Sequence, residues 1–113
     1  MESEVQKYLT WAKEIAMLLE KEIAPQLVVL FGSVAKGKVY RDSDLDLLVV
    51  WDGVEHLTNR ERRIRLRKII GETQVPIDLL TCTSEEFKKA LEDPHSFTNI
   101  IMAEGIVLSE KKV

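Results

Sequence analysis

The chain has 113 residues, of which 45% are hydrophobic and 31% are charged, and its formal net charge is −3. This length suits one globular domain, which we expect to comprise residues 1–113, and the composition argues against an intrinsically disordered chain. The mild negative charge argues against stable nucleic-acid binding, and the short apolar runs exclude a membrane span. A single cysteine, Cys82, and an acidic amino terminus unlike a signal peptide are typical of a cytoplasmic protein.

Apolar periodicity divides the chain into helices and strands. Apolar side chains recur every three or four residues in the predicted helices, whereas the predicted strands are short, continuous apolar runs. The predicted elements are a helix over 4–23, a strand over 27–31, a tight loop or short helix over 34–37, a strand over 45–51, a helix over 57–70, a strand over 75–81, a helix over 83–91, a final helix beginning near Pro94 with Phe97, Ile100 and Ile101 on its apolar face, and a short edge strand over 106–108. This order predicts an α/β domain in which helices cover a small sheet.

Three aspartates interrupt apolar strand segments in a way that fold stability does not explain. Asp44 and Asp46 flank Leu45 at the second predicted strand, and Asp78 lies inside the third. Burying an ionised carboxylate is costly unless it is paired or binds a metal. Because strand side chains alternate, Asp44 and Asp46 face the same side, and Asp78 can join them if the two strands are neighbours. Three hard oxygen donors suit Mg²⁺, and two such ions could clamp the reacting oxygens of a phosphoryl transfer.

A Gly32-Ser33 pair directly after the first predicted strand is a candidate phosphate-binding turn. Glycine lets the backbone approach a phosphate closely, and free amides at a following helix start can bind it. The Ser33 hydroxyl can donate to a phosphate oxygen, and Ser43 can do so from beside the aspartates. Lys36 is a candidate cation for the polyphosphate tail. Each signal is weak alone, but their joint spacing favours a nucleotide site.

Taken together, these motifs resemble the DNA polymerase beta superfamily, and specifically the minimal nucleotidyltransferases of prokaryotes. The family pattern of GS, ten residues and D-x-D is matched by GSVAKGKVYRDSDLDLLVV, and its third-acid strand is matched by VPIDLL. The ending NIIMAEGIVL is also similar to the family's usual close, so the resemblance covers about the whole chain. It implies a fold like the polymerase beta palm, with a small mixed sheet flanked by helices.

The resemblance also implies a role for each motif residue. The implied catalytic and metal-binding residues are Asp44, Asp46 and Asp78, and the implied nucleotide-binding residues are Gly32, Ser33, Lys36 and Ser43. The three aspartates would hold two Mg²⁺ ions, and Asp78 would also help to activate the acceptor hydroxyl. ATP would be the substrate, and pyrophosphate would leave as AMP is transferred. Many relatives have arginine where this chain has Lys36, and lysine lacks the bidentate fork of arginine.

Three hypotheses about function follow from this resemblance. Minimal nucleotidyltransferases of this size resemble antitoxins that transfer AMP from ATP to a tyrosine of a HEPN-family toxin and so silence it. The second hypothesis is a transferase for small molecules, as antibiotic nucleotidyltransferases are, although those usually carry an added helical domain. The third is a non-catalytic module that neutralises its partner by contact alone. Whether the chain forms a homo-oligomer stays open.

The predicted helix over 57–70 is both amphipathic and strongly basic. Its apolar side is predicted to comprise Leu57, Ile64, Ile69 and Ile70. Its basic residues are Arg60, Arg62, Arg63, Arg65, Arg67 and Lys68. We favour a solvated face with pairs such as Glu61 and Arg65, and a docking surface for nucleic acid or an acidic partner is the alternative.

The remaining reactive or aromatic residues give no sign of a second site. His56 and His95 have no cysteine or histidine at ligand spacing, so both are predicted to lie at the surface. Cys82 is predicted to be a small buried side chain rather than a nucleophile. Tyr8 and Trp11 belong either to the core or to a partner contact, and the sequence does not separate the two.

Overall fold

The computed structural model describes residues 3–111, and within them four strands form one sheet with helices on both faces. The elements are α1 (Glu4–Ile23), β1 (Leu27–Phe31), α2 (Gly32–Ala35), β2 (Leu45–Val50), α3 (Asn59–Ile70), β3 (Ile77–Cys82), α4 (Ser84–Glu92), α5 (Phe97–Glu104) and β4 (Ile106–Glu110). They follow the predicted order, and the predicted α/β fold class is confirmed. In the same range of residues, no helix is long and apolar enough to cross a membrane.

The sheet is mixed, and its strand order is β3-β2-β1-β4. β1 runs antiparallel to both β2 and β4, whereas β2 and β3 are parallel. Parallel neighbours need a crossover connection, which α3 supplies between β2 and β3. β1 and β2 are therefore the central strands, and β3 and β4 are the two edges.

Each face of the sheet buries its own apolar core. On one face, α1 and α3 pack against central-strand residues that include Leu30 and Leu47. On the other face, α4 and α5 cover Val29 and Leu48 with side chains that include Ile101. Because β1 and β2 are covered on both faces, their sequences are continuously apolar instead of alternating.

The helix ends follow the capping signals of the sequence. The Ser3 hydroxyl accepts from the backbone N–H of Gln6 at the start of α1, and α1 ends just before Ala24 and Pro25. Thr83 and Glu86 form the predicted reciprocal capping box at the start of α4. Local side-chain chemistry thus determines where these helices begin.

Several predicted boundaries and one predicted helix face are wrong. α2 comprises Gly32–Ala35 and not 34–37, β2 ends at Val50 and not at Trp51, and β3 begins at Ile77 and not at Val75. α3 begins at Asn59 because Thr58 and Glu61 form a capping box that the sequence analysis overlooked. Ile64, predicted to be apolar core, is 39% exposed, whereas Leu66 is fully buried. Leu66 and Ile70 lie one turn apart on the face that packs on the sheet, and Ile64 points away from it.

The start and the apolar face of α5 also differ from the prediction. Ser96, whose hydroxyl accepts from Asn99 N–H, caps the helix, so Pro94 precedes it instead of occupying its first position. Ile101 is 2% exposed, but Phe97 is 56% and Ile100 is 47% exposed. The predicted three-residue apolar face is therefore wrong, because α5 is short and contacts the sheet through one side of its central turn.

Arg62 is buried, although it was predicted to lie on the solvated face of α3. Its side chain is 5% exposed; Nε donates to the carbonyl oxygen of Val54 at 3.0 Å, and Nη1 donates to Glu86 Oε1 at 2.8 Å. Glu86 is the capping residue of α4, and the contacts with Arg62 and Thr83 hold the pKa of its carboxyl below the usual range. Arg62 thus joins α3 to the β2–α3 loop and to the start of α4.

We expect Arg62→Ala to destabilise the protein by about 2–3 kcal/mol, because it removes a buried side chain together with its hydrogen bonds to the Val54 carbonyl and to Glu86. Arg60→Ala, at an exposed position on the same helix, should change the free energy of unfolding by less than about 0.5 kcal/mol. Urea unfolding of both variants measures the difference. Equal losses in the two variants would contradict the structural role of Arg62.

Candidate active site

The three candidate aspartates lie at the same end of the parallel β2–β3 pair. Asp46 on β2 is in direct register with Asp78 on β3, so their side chains project from the same face of the sheet. Asp44 immediately precedes β2 and has the same parity as Asp46. Asp44 and Asp78 are exposed, and Asp46 is half-buried. The condition under which Asp78 could join the other two, that the second and third strands are neighbours, is confirmed.

The electrostatics of Asp46 show that the aspartates act on one another. Its pKa is raised above the usual value, chiefly by burial and then by the charges of Asp78 and Asp44. Among residues 3–111, however, no three His, Cys, Asp or Glu side chains stand so that they could hold a metal ion together. Mutual repulsion opposes close approach of the three carboxylates, and Asp44 and Asp78 are both exposed. The oxygen donor set itself fits Mg²⁺.

Gly32 brings the turn after β1 against the Asp46 carboxylate. Its φ of +79° is a conformation that favours glycine. A Cβ atom at this position would overlap Oδ2 of Asp46 and lie 3.0 Å from its Cγ. The backbone of the Gly32-Ser33 turn is therefore packed directly on the central carboxylate of the candidate site, and no larger residue fits.

Of the other candidate nucleotide-binding residues, Lys36 and Ser43 have side-chain partners within the chain. Ser33 is partly buried in α2, next to Gly32. Lys36 Nζ lies 3.2 Å from Glu104 Oε2 in a half-exposed ion pair, which is weak and exchangeable. Ser43 is buried, and its hydroxyl accepts from the backbone N–H of Tyr40 at 2.6 Å. Ser43 thus closes the loop that leads to Asp44, a local structural role that the sequence analysis did not predict.

Two phenylalanines border the site, and the sequence analysis did not include either in it. Phe31 is the antiparallel partner of Asp46 in the β1–β2 register, and it immediately precedes Gly32. The ring of Phe97 meets that of Phe31 edge to face, with a centroid separation of 5.8 Å. The position of Phe31 directly before the GS motif was the available signal, whereas the proximity of Phe97 depends on the docking of α5.

The remaining side chains support the expectations drawn from the sequence. His56 and His95 are exposed, as predicted. Burial raises the pKa of the Cys82 thiol to about 11, so the thiol is protonated at neutral pH and is a poor nucleophile. Tyr8 is buried, and its ring packs on that of Trp11 at a centroid distance of 5.2 Å. These two aromatic residues therefore belong to the packing of α1.

The raised pKa of Asp46 predicts the pH dependence of stability in the metal-free protein. Because the folded state binds this proton more tightly than the unfolded chain, stability falls as pH rises from the usual value of 3.8 through the raised pKa and stays reduced above it. Asp46→Asn removes this penalty, so its melting temperature at pH 7 should exceed that of the wild type by about 1–3 °C. The difference should disappear below the usual pKa.

Thermal melts over a pH series in the presence of a chelator measure this effect. Asp42→Asn, at an exposed position in the loop that precedes β2, should leave the melting temperature unchanged at all pH values. A wild type that melts at the same temperature as Asp46→Asn, or above it, at pH 7 would contradict the predicted cost of charging Asp46, which comes chiefly from burial and then from repulsion by Asp78 and Asp44.

A comparison with known protein families shows to which family the chain belongs. A model of the nucleotidyltransferase domain matches residues 12–108. The chain belongs to the nucleotidyltransferase domain family. The family predicted from the GS and D-x-D motifs is confirmed, and this membership makes the protein a nucleotidyltransferase. Among proteins of curated function, none matches the chain significantly.

Solved structures show the same fold for this nucleotidyltransferase. A structure described as a nucleotidyltransferase from Sulfolobus solfataricus matches with a TM-score of 0.66 and 18% sequence identity. The match covers 98% of this chain and 91% of the Sulfolobus chain. One described as a minimal nucleotidyltransferase has a TM-score of 0.56 and 23% identity, with coverage of 93% and 96%. A toxin–antitoxin structure with AMP-PNP has a TM-score of 0.52 and 22% identity, with coverage of 89% and 74%. At these identities, the likeness establishes the fold alone.

Proposed function

We propose that this nucleotidyltransferase is an antitoxin that transfers AMP from ATP to a tyrosine hydroxyl of a HEPN-family toxin. The observation that carries the proposal is the position of Asp46, which is in register with Asp78 on one side and abuts the Gly32 backbone on the other. The contact between Asp46 and Gly32 supports a combined site, in which the candidate carboxylates lie next to the candidate phosphate-binding turn. The likeness to a toxin–antitoxin structure with AMP-PNP favours ATP as donor and a toxin as acceptor.

In this proposal, the residues of the chain divide into a nucleotide side and an acceptor side. The Gly32 and Ser33 amides and the Ser33 hydroxyl donate to the triphosphate, next to Asp46. Lys36 exchanges its half-exposed partner Glu104 for the polyphosphate tail. Ser43 keeps the loop before Asp44 closed, and any donation to a phosphate is secondary to that role.

Two Mg²⁺ ions would be held by Asp44, Asp46 and Asp78 together. When bound, the ions would offset phosphate charge and clamp the attacking and leaving oxygens. The Asp78 carboxylate, exposed at the edge strand, accepts the proton of the acceptor hydroxyl. The acceptor oxygen forms a bond to the α-phosphorus, while the bond from that phosphorus to the bridging oxygen breaks. The electron pair of the broken bond leaves with pyrophosphate, and AMP stays on the acceptor.

The test is to incubate the protein with ATP, Mg²⁺ and the toxin and to measure the intact mass of the toxin. We expect a gain of AMP on the toxin that maps to a tyrosine, requires Mg²⁺ and coincides with loss of toxin activity. Asp78→Asn should prevent the mass gain, whereas Asp42→Asn should preserve it. Silencing of a toxin whose mass is unchanged would support the non-catalytic module, and AMP found on a small hydroxyl compound alone would support the small-molecule transferase.

A further inference from the structure

An exposed aromatic ring lies beside the candidate site without an assigned role. Phe97 is the first residue of α5 and is 56% exposed, whereas Ile101, one turn later on the same helix, is 2% exposed. Its ring meets Phe31 at an interplanar angle of 87°. This packing fixes the position of the Phe97 ring but leaves more than half of its surface in water.

The position of Phe31 connects this ring to the reacting groups. Phe31 is the cross-strand partner of Asp46, and partners in an antiparallel pair project from the same face of the sheet. Phe31 also directly precedes Gly32, whose backbone abuts the Asp46 carboxylate. The aromatic pair therefore lies next to both the phosphate-binding turn and the central carboxylate.

The strand order separates the aromatic pair from Asp78. Asp78 lies on β3, on the far side of β2 from β1, and in the proposed function the acceptor approaches from that edge. Phe31, Gly32 and Ser33 are on the opposite side, where the triphosphate lies in the proposed function. In this proposal, the base is one sugar from the α-phosphate at Asp46 and turns back towards the β1 side, where the Phe31 and Phe97 rings lie.

We propose that Phe97, in edge-to-face contact with Phe31, is the platform on which the base of the incoming nucleotide stacks. The inference rests on the proposed nucleotide site, and it adds a residue that selects nucleotides over bare polyphosphate. Stacking on an aromatic face is tolerant of base identity, since every base has a π-face. The platform therefore favours any nucleoside triphosphate over inorganic tripolyphosphate.

The test compares the affinities of the Mg²⁺ complexes of ATP and inorganic tripolyphosphate by calorimetry without an acceptor. Wild type should bind ATP more tightly, and Phe97→Ala should weaken ATP binding by about five- to tenfold while tripolyphosphate affinity stays the same. Phe97→Leu preserves apolar packing on Phe31. It should lose the preference for ATP over tripolyphosphate to the same extent as Phe97→Ala. Phe97→Tyr should retain it, and Ile100→Ala, an exposed apolar residue on the same helix, should match the wild type.

Each other outcome is also decisive. Equal affinity of the wild type for the two ligands, or an unchanged preference in Phe97→Ala and Phe97→Leu, would overturn the platform and leave the proposed function standing. An equal weakening of both ligands would also overturn it, because the residue would then act on the phosphate site or the fold. A wild type that binds neither ligand, with Mg²⁺ present, would overturn the proposed nucleotide site itself.

Discussion

Asp46→Asn is expected to lower the rate of AMP transfer on the order of a thousand-fold or more while the fold stays intact. Asp46 lies between Asp78 and the Gly32 turn, so this one carboxylate faces both parts of the proposed site. If Asp46 holds Mg²⁺ as proposed, the loss of its oxygen removes several kcal/mol of transition-state stabilisation, and each 1.36 kcal/mol corresponds to about tenfold in rate. Asparagine is nearly isosteric and relieves repulsion, so stability should not fall.

Initial rates of toxin modification at saturating ATP and Mg²⁺ measure this effect, with thermal melting as the check on folding. Asp42→Asn, at an exposed position a few residues earlier in the loop that precedes β2, is the matched control and should retain the wild-type rate. The metal-binding role of Asp46 would be untenable if Asp46→Asn kept more than about a tenth of the wild-type rate.

Gly32→Ala is expected to lower transfer by about a hundredfold and to destabilise the protein by about 2–4 kcal/mol. The added Cβ would overlap Oδ2 of Asp46, so either the turn or the carboxylate must move. The φ of +79° adds strain for any residue with a side chain. Small displacements of positioning groups are costly in rate, because reacting atoms must lie close to their bonding geometry.

Gly37→Ala separates these two contributions. Gly37 has the same φ of +79°, but a Cβ there would meet no heavy atom within 4 Å. This variant should therefore lose about 1–2 kcal/mol of stability from backbone strain alone and retain its transfer rate. Comparable rate losses in the two variants would show that contact between Gly32 and Asp46 has no special importance for the reaction.

Local sequence patterns were enough to predict much of the architecture of the chain. Long apolar runs predicted β1 and β2 because both strands are central and covered on both faces. Capping signals and proline located the ends of α1 and α4 because these contacts span only a few residues. The GS and D-x-D motifs predicted the family, which the match over residues 12–108 confirms.

Contacts between distant segments were decided by the tertiary structure alone. The proximity of Asp46 to Asp78 depends on the parallel pairing of β2 with β3. From the sequence, this pairing could only be assumed. The burial of Arg62 depends on where α4 places Glu86, and nothing in the run of basic residues distinguishes it.

The docking of α5 likewise determines that Phe97 lies at the site and not in the core. Periodicity specifies which residues of a helix share a face, but the partner of that face is set by packing across the chain. The sequence by itself therefore determined the order of the elements and the family, and it identified the candidate site residues. Their convergence on one face of the sheet was determined by long-range strand pairing and helix docking, which no local pattern encodes.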